Sequence, residues 1–286
     1  MSDVTLVHLS DLHFGGVVDL AQIEALEGYV PILGADAVVI SGDLTQRARH
    51  GEFQRARAFV RHLETYLPIF AMPGNHDVQW WRSPFGLLGR RRIYDKYRRY
   101  FGETLAPVLM VPGAMIAGAL TSYGVAFGSM TPNPNNMAVM GHLPWREIKR
   151  LRLLFSAARP DVARVVVVHH NVLPGRLSGR MGLARWRVAQ TRLLDLGTDV
   201  VLCGHDHQED AGQIDDVLAV STAGTHTSRT RGHRPSAFNL VRIGPDAVRI
   251  QHHRWDASLR RFLPTDPRVF PRGEPADAAT QYVSGV

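Results

Sequence analysis

The stretch Cys203-Gly204-His205-Asp206-His207 follows the apolar run Val200-Val201-Leu202 and decides how the chain is interpreted. The apolar run predicts a buried strand, and the polar residues predict a turn directly after it. Two histidines separated by one residue on such a turn hold their imidazoles in one small volume, where neutral ring nitrogens can bind a metal ion. A single His-x-His motif is weak support for a metal site, so other parts of the chain must supply further ligands.

The composition is that of a globular protein with a substantial core. Of the 286 residues, 45% are hydrophobic and 21% are charged. The single cysteine, Cys203, excludes an internal disulfide and favours a reducing compartment, and no targeting segment is evident, so we expect a cytoplasmic protein. The formal charge of +7 is compatible with contact to nucleic acid or to a membrane surface, but no binding motif accompanies it.

Strands and amphipathic helices alternate through the first two thirds of the chain, which predicts one α/β domain with packed sheets. Later short strands over 217–221, 237–243 and 247–253 suggest an antiparallel layer. We place the domain at residues 1–263, with 80–140 as a cap or insertion and a basic helix over Arg90–Phe101. Residues 264–286 are rich in Pro, Gly, Asp and Ala, and we expect an extended or loose C-terminal tail there.

Side chains that bind metals follow five of the predicted strands. Ligand sites of open α/β sheets lie outside the carboxyl ends of the strands, so we expect these side chains at one edge. The same residue types after every one of these strands indicate a metal site. The residues are Asp11 and His13, Asp43, Asn75 and His76, His169, and His205 and His207.

The number of donors indicates two metal ions. Without His76, the set contains two carboxylates, one amide and four histidines. These seven donors are more than one ion with an open coordination position can bind. They suit two divalent ions about 3.5–4 Å apart that share a carboxylate. The resulting positive site favours a phosphate anion. Mixed nitrogen and oxygen donors make Mn²⁺ the expected ion, with Fe, Zn, Mg or Co as alternatives.

These motifs, in this order, resemble the signature D-x-H, G-D, G-N-H-D/E, H and G-H-x-H of the calcineurin-like metallophosphoesterase superfamily. The resemblance covers roughly residues 4–243 and implies an α/β sandwich of two mixed β-sheets flanked by helices, with a dinuclear metal site at the C-terminal edge of the strands. The matching residues are Asp11-Leu12-His13, Gly42-Asp43, Gly74-Asn75-His76-Asp77, His169 and Gly204-His205-Asp206-His207.

The resemblance also implies a role for each matching residue. His76 would contact the substrate phosphate and protonate the leaving oxygen, and a metal-bridging hydroxide would attack in line. Asp77 and Asp206 are expected to cap loops or to orient their neighbours. The seven implied ligands form two groups with one shared member: Asp11, His13 and His207 for one ion, Asn75, His169 and His205 for the other, and Asp43 as the bridge.

Alternatives remain open at individual histidines. His170 could replace His169 as ligand, although the apolar run ends at Val168 and leaves His169 as the first residue free to turn. His8 lies within the first strand and is expected to be a core or cross-strand histidine. His226 follows the metal loop closely in sequence, and it either lines the pocket or lies apart from it. The other histidines are expected on the surface: His50, His62, His142, His233, His252 and His253.

Within the superfamily, the motifs and compact length resemble the bacterial class III cyclic-nucleotide phosphodiesterases most. This implies a phosphodiesterase acting on 3′,5′-cyclic nucleotides or on other phosphoesters. The UDP-diacylglucosamine pyrophosphohydrolases are the alternative, but they typically carry G-N-R-D where this chain has Gly74-Asn75-His76-Asp77. Double-strand-break nucleases rank third, because they usually add a C-terminal capping domain.

Two non-enzyme alternatives are also weighed. A metal-free scaffold should have lost ligands, and all seven are present. A nucleic-acid-binding module, like a peripheral membrane contact, rests only on the net charge. A homodimer is compatible with the sequence but has no motif behind it.

Overall fold

A computed structural model describes residues 3–87, 89–129, 139–228, 230 and 232–272. The strands are β1 Val4–Leu9, β2 Ala37–Ile40, β3 Ile69–Ala71, β4 Val108–Val111, β5 Ala114–Gly118, β6 Ala163–His170, β7 Val200–Gly204, β8 Asp210–Ile214, β9 Leu218–Thr222, β10 Ala237–Ile243, β11 Ala247–Asp256, β12 Arg261–Pro264 and β13 Arg268–Pro271. The α-helices are α1 Leu20–Tyr29, α2 His50–Glu64, α3 Asp95–Phe101, α4 Trp145–Ser156 and α5 Trp186–Leu194.

In the described ranges the strands form two mixed sheets. The first has the order β12-β11-β10-β1-β2-β3, with β13 also paired to β11, and the second has the order β4-β5-β6-β7-β9-β8. Strands β1, β2 and β3 run parallel in the first sheet, as do β5, β6, β7 and β9 in the second. The predicted sandwich of two mixed sheets is confirmed.

The alternation of side chains along β1 explains how the layers pack. Val4 and Leu6 face the apolar layer between the two sheets, whereas Val7 and Leu9 belong to the outer cluster that also contains the buried faces of α1 and α2. Helices α4 and α5 cover the outer face of the second sheet in the same way. Each sheet is therefore apolar on both faces, which holds its strand ends in fixed positions.

His8 is a polar residue within this layer between the sheets. Its Nδ1 lies 2.9 Å from Ser221 Oγ in the second sheet, and its Nε2 lies 3.1 Å from Ser41 Oγ beside the first. Burial lowers the pKa of His8 to about 3, so the ring is neutral. The prediction of a core histidine is confirmed, and the ring links the two sheets by hydrogen bonds.

Two predictions about the chain's organisation are wrong. The tail predicted over 264–286 begins as ordered structure, because β13 pairs with β11 and buries Phe270 in the layer between the sheets. Residues 273–286 lie outside the described part. Residues 80–140 are not one insertion, because β4 and β5 lie in the second sheet and β5 pairs in parallel with β6.

Local predictions also need correction. His252 and His253 are buried: His252 Nδ1 lies 2.7 Å from Asn239 Oδ1, and the His253 ring stacks on Phe238 with centroids 4.7 Å apart. The predicted late antiparallel layer is confirmed for β10 and β11, but β9 lies in the second sheet, parallel to β7 and antiparallel to β8. The helix predicted over Arg90–Phe101 is a 3₁₀ segment, Arg90–Tyr94, followed by α3.

Among the described residues, the helices are too short or too polar to cross a bilayer.

His226 provides a test of how burial couples to acid stability. Neither ring nitrogen has a hydrogen-bond partner, and burial lowers the pKa of this histidine to about 4. Below about pH 6.5, His226 binds a proton in the unfolded chain but stays neutral in the folded chain. The unfolding free energy should therefore fall as pH drops from about 6.5 to 4. In His226→Leu, this fall should be shallower by up to about 1.4 kcal/mol per pH unit in urea titrations. Parallel curves for the two proteins would contradict it.

Candidate metal centre

The predicted ligands meet where the carboxyl ends of the two sheets lie together. Strands β1, β2 and β3 of the first sheet lead into the loops of Asp11, Asp43 and Asn75. Strands β6 and β7 of the second sheet supply His169 and His205. The expectation of a single sheet edge is therefore corrected: two edges face each other across the site, and each provides part of the donor set.

The first group of side chains consists of Asp11, His13 and His207. The Nε2 atoms of the two histidines lie 3.0 Å apart. Asp11 Oδ1 is 3.5 Å from His13 Nε2 and 3.3 Å from His207 Nε2. Two imidazole nitrogens and a carboxylate oxygen thus converge on one point, as ligands of one cation do.

The second group consists of Asn75, His169 and His205. Asn75 Oδ1 lies 2.9 Å from both His169 Nε2 and His205 Nδ1. Asp43 Oδ2 lies between the groups, 3.3 Å from His169 Nε2 and 3.7 Å from His13 Nε2. All seven predicted ligands are therefore brought together, with the Asp43 carboxylate at the centre.

Buried oxygen atoms without partners indicate what this cluster lacks. Asp11 Oδ1 and Asp43 Oδ2 are buried and accept no hydrogen bond of standard geometry, and they face histidine ring nitrogens at 3.3 to 3.7 Å. A buried carboxylate oxygen without a donor or a cation is costly. Ligand atoms of Asp11, His13, Asp43 and His207 all lie within 4.8 Å of one another. This set of oxygen and nitrogen donors fits a divalent metal site.

The backbone at the site is strained. Five of the seven predicted ligands have positive φ values although none is glycine, a conformation that costs about 1–3 kcal/mol at each residue. Strain of this kind persists only where the surrounding structure enforces it, and it turns each side chain away from its strand direction and into the site. The values are 52° at Asp11, 45° at His13, 53° at Asp43, 73° at His205 and 59° at His207.

Three glycines allow the loops to approach closely. A Cβ atom on Gly74 would overlap Oδ1 and the backbone nitrogen of Asp43, and one on Gly42 would lie 2.6 Å from His169 Nδ1. A Cβ atom on Gly204 would overlap Ser10 and press on Asp11 Oδ2. The glycines of the motifs are thus required sterically, because any side chain there would displace a ligand.

Hydrogen bonds from the backbone orient the carboxylates. His76 N donates to Asp43 Oδ1 at 2.8 Å, and His205 N donates to Asp11 Oδ2 at 2.9 Å. Each aspartate therefore keeps its second oxygen for the site. The buried Asp77 accepts from the backbone nitrogens of Thr45, at 2.8 Å, and Gly74, at 2.9 Å, which joins the loops after β2 and β3. The expected loop-capping role of Asp77 is confirmed.

Contacts within the cluster set the charge of its members. Burial alone would raise the pKa of Asp43, but the neighbouring His169 and His76 hold it far below its ordinary value. Burial opposes protonation of His169, yet the charge of Asp43 raises the pKa of His169 to about 9. Burial and the neighbouring His169 lower the pKa of His205 to about 3. The carboxylates thus hold a proton on His169, at a position where a metal ion would supply the positive charge instead.

The alternation of side chains in β6 distinguishes His169 from His170. Val165 and Val167 face the layer between the sheets, and His169 continues on that side toward Asp43. His170 lies on the other side, where Nδ1 is 2.8 Å from Thr121 Oγ1 and Nε2 is 2.9 Å from the Val139 carbonyl oxygen. Both ring nitrogens of His170 are engaged away from the cluster, and the geometry favours His169 as the ligand.

His226 and Asp206 take part in the loops rather than in the cluster. The His226 backbone nitrogen donates to the Asp11 carbonyl oxygen at 3.3 Å, while its ring packs against Phe262 with centroids 5.8 Å apart. Asp206 Oδ1 accepts from Ser178 Oγ at 2.8 Å. Asp206 therefore orients a neighbouring loop as expected, and the His226 ring lies apart from the pocket.

His76 lies at the open side of the site, on a cleft of about 420 Å³. Its Nδ1 donates to the Gln46 carbonyl oxygen at 2.8 Å. Arg47, Trp80 and Trp81 line the same cleft. The sequence analysis did not assign Arg47, Trp80 or Trp81 to the site. The signal that could have found the two tryptophans is the pair itself, since it lies three residues after the Gly74–Asp77 motif and ligand pockets are lined mainly by hydrophobic and aromatic side chains.

Comparison with known proteins agrees with this geometry. The family model of the calcineurin-like phosphoesterases matches residues 4–209. The chain belongs to this family. All seven predicted ligands, including the Asp/His cluster of Asp11, His13, Asp43 and His207, lie within the matched residues.

The curated relatives are distant. UDP-2,3-diacylglucosamine pyrophosphatase LpxG of Chlamydia muridarum is 22% identical over 218 residues, which cover 71% of this chain and 63% of LpxG. DNA double-strand break repair protein Mre11 of Haloferax volcanii is 23% identical over 284 residues, which cover 93% of this chain and 53% of Mre11. This phosphoesterase chain thus spans under two thirds of the length of either relative.

A solved structure shows the same fold. Purple acid phosphatase PPD1 from yellow lupin (Lupinus luteus) seeds superimposes with a TM-score of 0.66 at 11% identity. The match covers 95% of this chain and 54% of the lupin protein. The two-sheet sandwich is therefore shared at very low sequence identity.

The close approach of Gly74 to Asp43 can be tested by substitution. In Gly74→Ala, the new methyl group should displace the Asp43 carboxylate and weaken Mn²⁺ binding by about 10- to 100-fold. Isothermal titration calorimetry of the purified chain measures this without any substrate. Gly51→Ala is the matched control, because Gly51 lies in α2 with open space around its Cβ position. Equal affinity of the two variants would contradict the steric argument.

Proposed function

We propose that the chain is a metal-dependent phosphodiesterase that uses two divalent ions. One observation carries the proposal: the Asp43 carboxylate lies between two groups of donors, with Oδ2 3.3 Å from His169 Nε2 and 3.7 Å from His13 Nε2. Membership of the calcineurin-like phosphoesterase family supports the reaction class. Three donors in each group, with one shared oxygen, suit a pair of ions better than a single one.

The ligand assignment follows the two groups. Two divalent ions, Mn²⁺ in our proposal, would supply Lewis acidity toward phosphate oxygens and a water activated near neutral pH. The protein's task is to hold the donors rigidly, which the strained loops and the glycine contacts support. One ion would be held by Asp11, His13 and His207, the other by Asn75, His169 and His205, and both by Asp43.

His76 would act as the general acid. Its backbone nitrogen donates a hydrogen bond to Asp43 Oδ1, which holds the residue beside the proposed shared ligand. Its Nδ1 donates to the Gln46 carbonyl oxygen, which orients the ring and leaves Nε2 for the substrate. From this position, a proton on Nε2 would pass to the leaving oxygen as the phosphorus–oxygen bond breaks.

For the substrate we propose a phosphodiester, with 3′,5′-cyclic nucleotides as the first candidate. The Gly74-Asn75-His76-Asp77 motif supports this class, and the cleft beside His76 offers two indole rings and Arg47 to a base and a phosphate. Lipid- or nucleotide-linked pyrophosphates are the second candidate, supported by the similarity to LpxG. We also propose a reducing, cytoplasmic environment, supported by the buried free thiol of Cys203.

Dependence on the shared ligand is the first test. The chain should hydrolyse bis(p-nitrophenyl) phosphate when Mn²⁺ is added and lose this activity with a chelator. In Asp43→Ala, both turnover and tight binding of two ions should be lost, because the only shared ligand is removed. Release of p-nitrophenol and metal content by mass spectrometry measure the two effects.

Asp161→Ala is the matched control for Asp43→Ala. Asp161 is an exposed aspartate whose side chain pairs with Arg159. This variant should keep wild-type turnover and metal content. Retention of two tightly bound ions in Asp43→Ala, or no turnover of the wild type with any divalent metal, would contradict the proposal.

The role of His76 is tested with leaving groups of different basicity. In His76→Ala, metal binding should persist while the rate falls by about 10²- to 10⁴-fold for a poor alkoxide leaving group. For p-nitrophenolate, which leaves without a proton, the loss should be much smaller. Steady-state kinetics on the two ester types measure the ratio. Equal losses would remove the general-acid role from His76.

A substrate panel separates the candidates. Cyclic nucleotides, nucleoside diphosphate-linked lipids, phosphomonoesters and single-stranded DNA would each be assayed with Mn²⁺. Fastest turnover of a cyclic nucleotide supports the first candidate, and fastest turnover of a diphosphate-linked lipid supports the second. Salt-sensitive DNA binding without turnover of any of these would favour a binding module instead.

A further inference from the structure

Trp80 and Trp81 line the cleft, and further apolar side chains, exposed except for the half-buried Phe85, lie in the segments near them. We call this surface the aromatic rim and define it as Trp80, Trp81, Phe85, Leu87 and Phe127. Leu87 is 79% exposed, Phe127 73% and Trp81 52%. Large apolar side chains scattered singly are ordinary on a protein surface, but a contiguous group beside a binding cleft marks an interaction site.

Contacts join four members of the aromatic rim, and Leu87 follows Phe85 by two residues in sequence. The rings of Trp80 and Trp81 lie edge to face with centroids 6.0 Å apart, and Trp80 packs on Gly124. Phe85 N donates to the carbonyl oxygen of Val125, the residue after Gly124, at 2.9 Å. The rings of Phe85 and Phe127 lie 5.1 Å apart. The apolar surface thus runs from the cleft wall at Trp80 to the exposed ring of Phe127.

Arginines lie near the two tryptophans of the aromatic rim. Arg47 is exposed and lines the cleft together with Trp80 and Trp81. Arg92 is also exposed, and Arg82 directly follows Trp81 and pairs with Asp95 at 3.4 Å. The chain as a whole has a formal charge of +7. This surface combines aromatic rings, one leucine side chain and guanidinium groups. It is complementary to a partner with an apolar interior and an anionic surface layer.

We propose that the aromatic rim docks the chain on an anionic phospholipid bilayer. Trp81, Leu87 and Phe127 would enter the boundary between headgroups and acyl chains, where tryptophan is favoured because its ring is apolar and its N–H can bond to water or phosphate. The nearby arginines would contact lipid phosphates. Docking in this way turns the mouth of the cleft, at Trp80 and Trp81, toward the membrane surface.

Vesicle sedimentation tests the docking. The purified full chain is mixed with phosphatidylcholine vesicles that contain either no anionic lipid or about 30% phosphatidylglycerol, and the bound fraction is measured after centrifugation. Binding should be about tenfold stronger to the anionic vesicles and should weaken as salt is raised. Failure to bind anionic vesicles would overturn the proposal.

Substitutions separate the aromatic rim from general charge attraction. Leu87→Ser combined with Phe127→Ser should weaken binding to anionic vesicles by about tenfold or more, because two exposed apolar side chains no longer enter the bilayer. The matched control is Ile32→Ser combined with Val217→Ser. Ile32 is 76% exposed and Val217 45% exposed, and they precede β2 and β9, at the sheet edges opposite the site. Circular dichroism confirms that both double variants are folded.

The outcomes distinguish docking from other uses of the surface. Loss of binding in the rim variant with retention in the control supports the proposal. Equal binding of all three proteins overturns it. A wild-type protein that is dimeric and does not bind vesicles, with the rim variant monomeric, also overturns it and assigns the surface to a second copy of the chain. The assay involves no turnover, so it stands or falls separately from the hydrolysis of bis(p-nitrophenyl) phosphate.

Discussion

The buried carboxylate of Asp43 is the constraint on which the rest of this structure depends. One of its oxygens accepts a backbone hydrogen bond from His76, and the other faces histidines from both sheets. A charge buried in this way must be compensated by cations or donors held in place. Much of the surrounding structure serves that need: glycines that admit the carboxylate, the His169 ring at 3.3 Å, and Asp77 joining the adjacent loops.

The sandwich supplies the rigidity that this arrangement requires. Left-handed backbone conformations at Asp11, His13, Asp43, His205 and His207 are together unfavourable by several kcal/mol, and packing of the sheets must offset that amount. Apolar layers between and outside the sheets hold the strand ends from which these residues emerge. The ligand loop after β3 also supplies part of the cleft wall, through Asn75 and His76, whereas Trp80 and Trp81 on the same wall follow that loop in sequence.

Sequence reasoning succeeded where the pattern is local and failed where partners are distant. Strands, most helices and the ligand loops follow from periodicity and from residues adjacent in the chain. Sheet membership does not, because β9 and β10 are both short apolar strands, yet β9 joins the second sheet and β10 the first. Phe270 and His252 were misplaced for the same reason: their burial depends on strands that pair across the fold, and neither residue's neighbours in sequence reveal that pairing.

By itself, the sequence determined the types and order of the donor residues, and with them the reaction class to be expected, because each of the five strand-end motifs carries its chemistry in one to four adjacent residues. Only the tertiary structure decided which side chains face one another. His169 rather than His170 turns toward Asp43. Successive side chains of β6 point to opposite faces of the second sheet, and His169 is on the face toward the first sheet. Asp43 lies between the two groups of donors because two sheets, and not one, bring their carboxyl edges together. That meeting of edges is a property of packing, and no short motif encodes it.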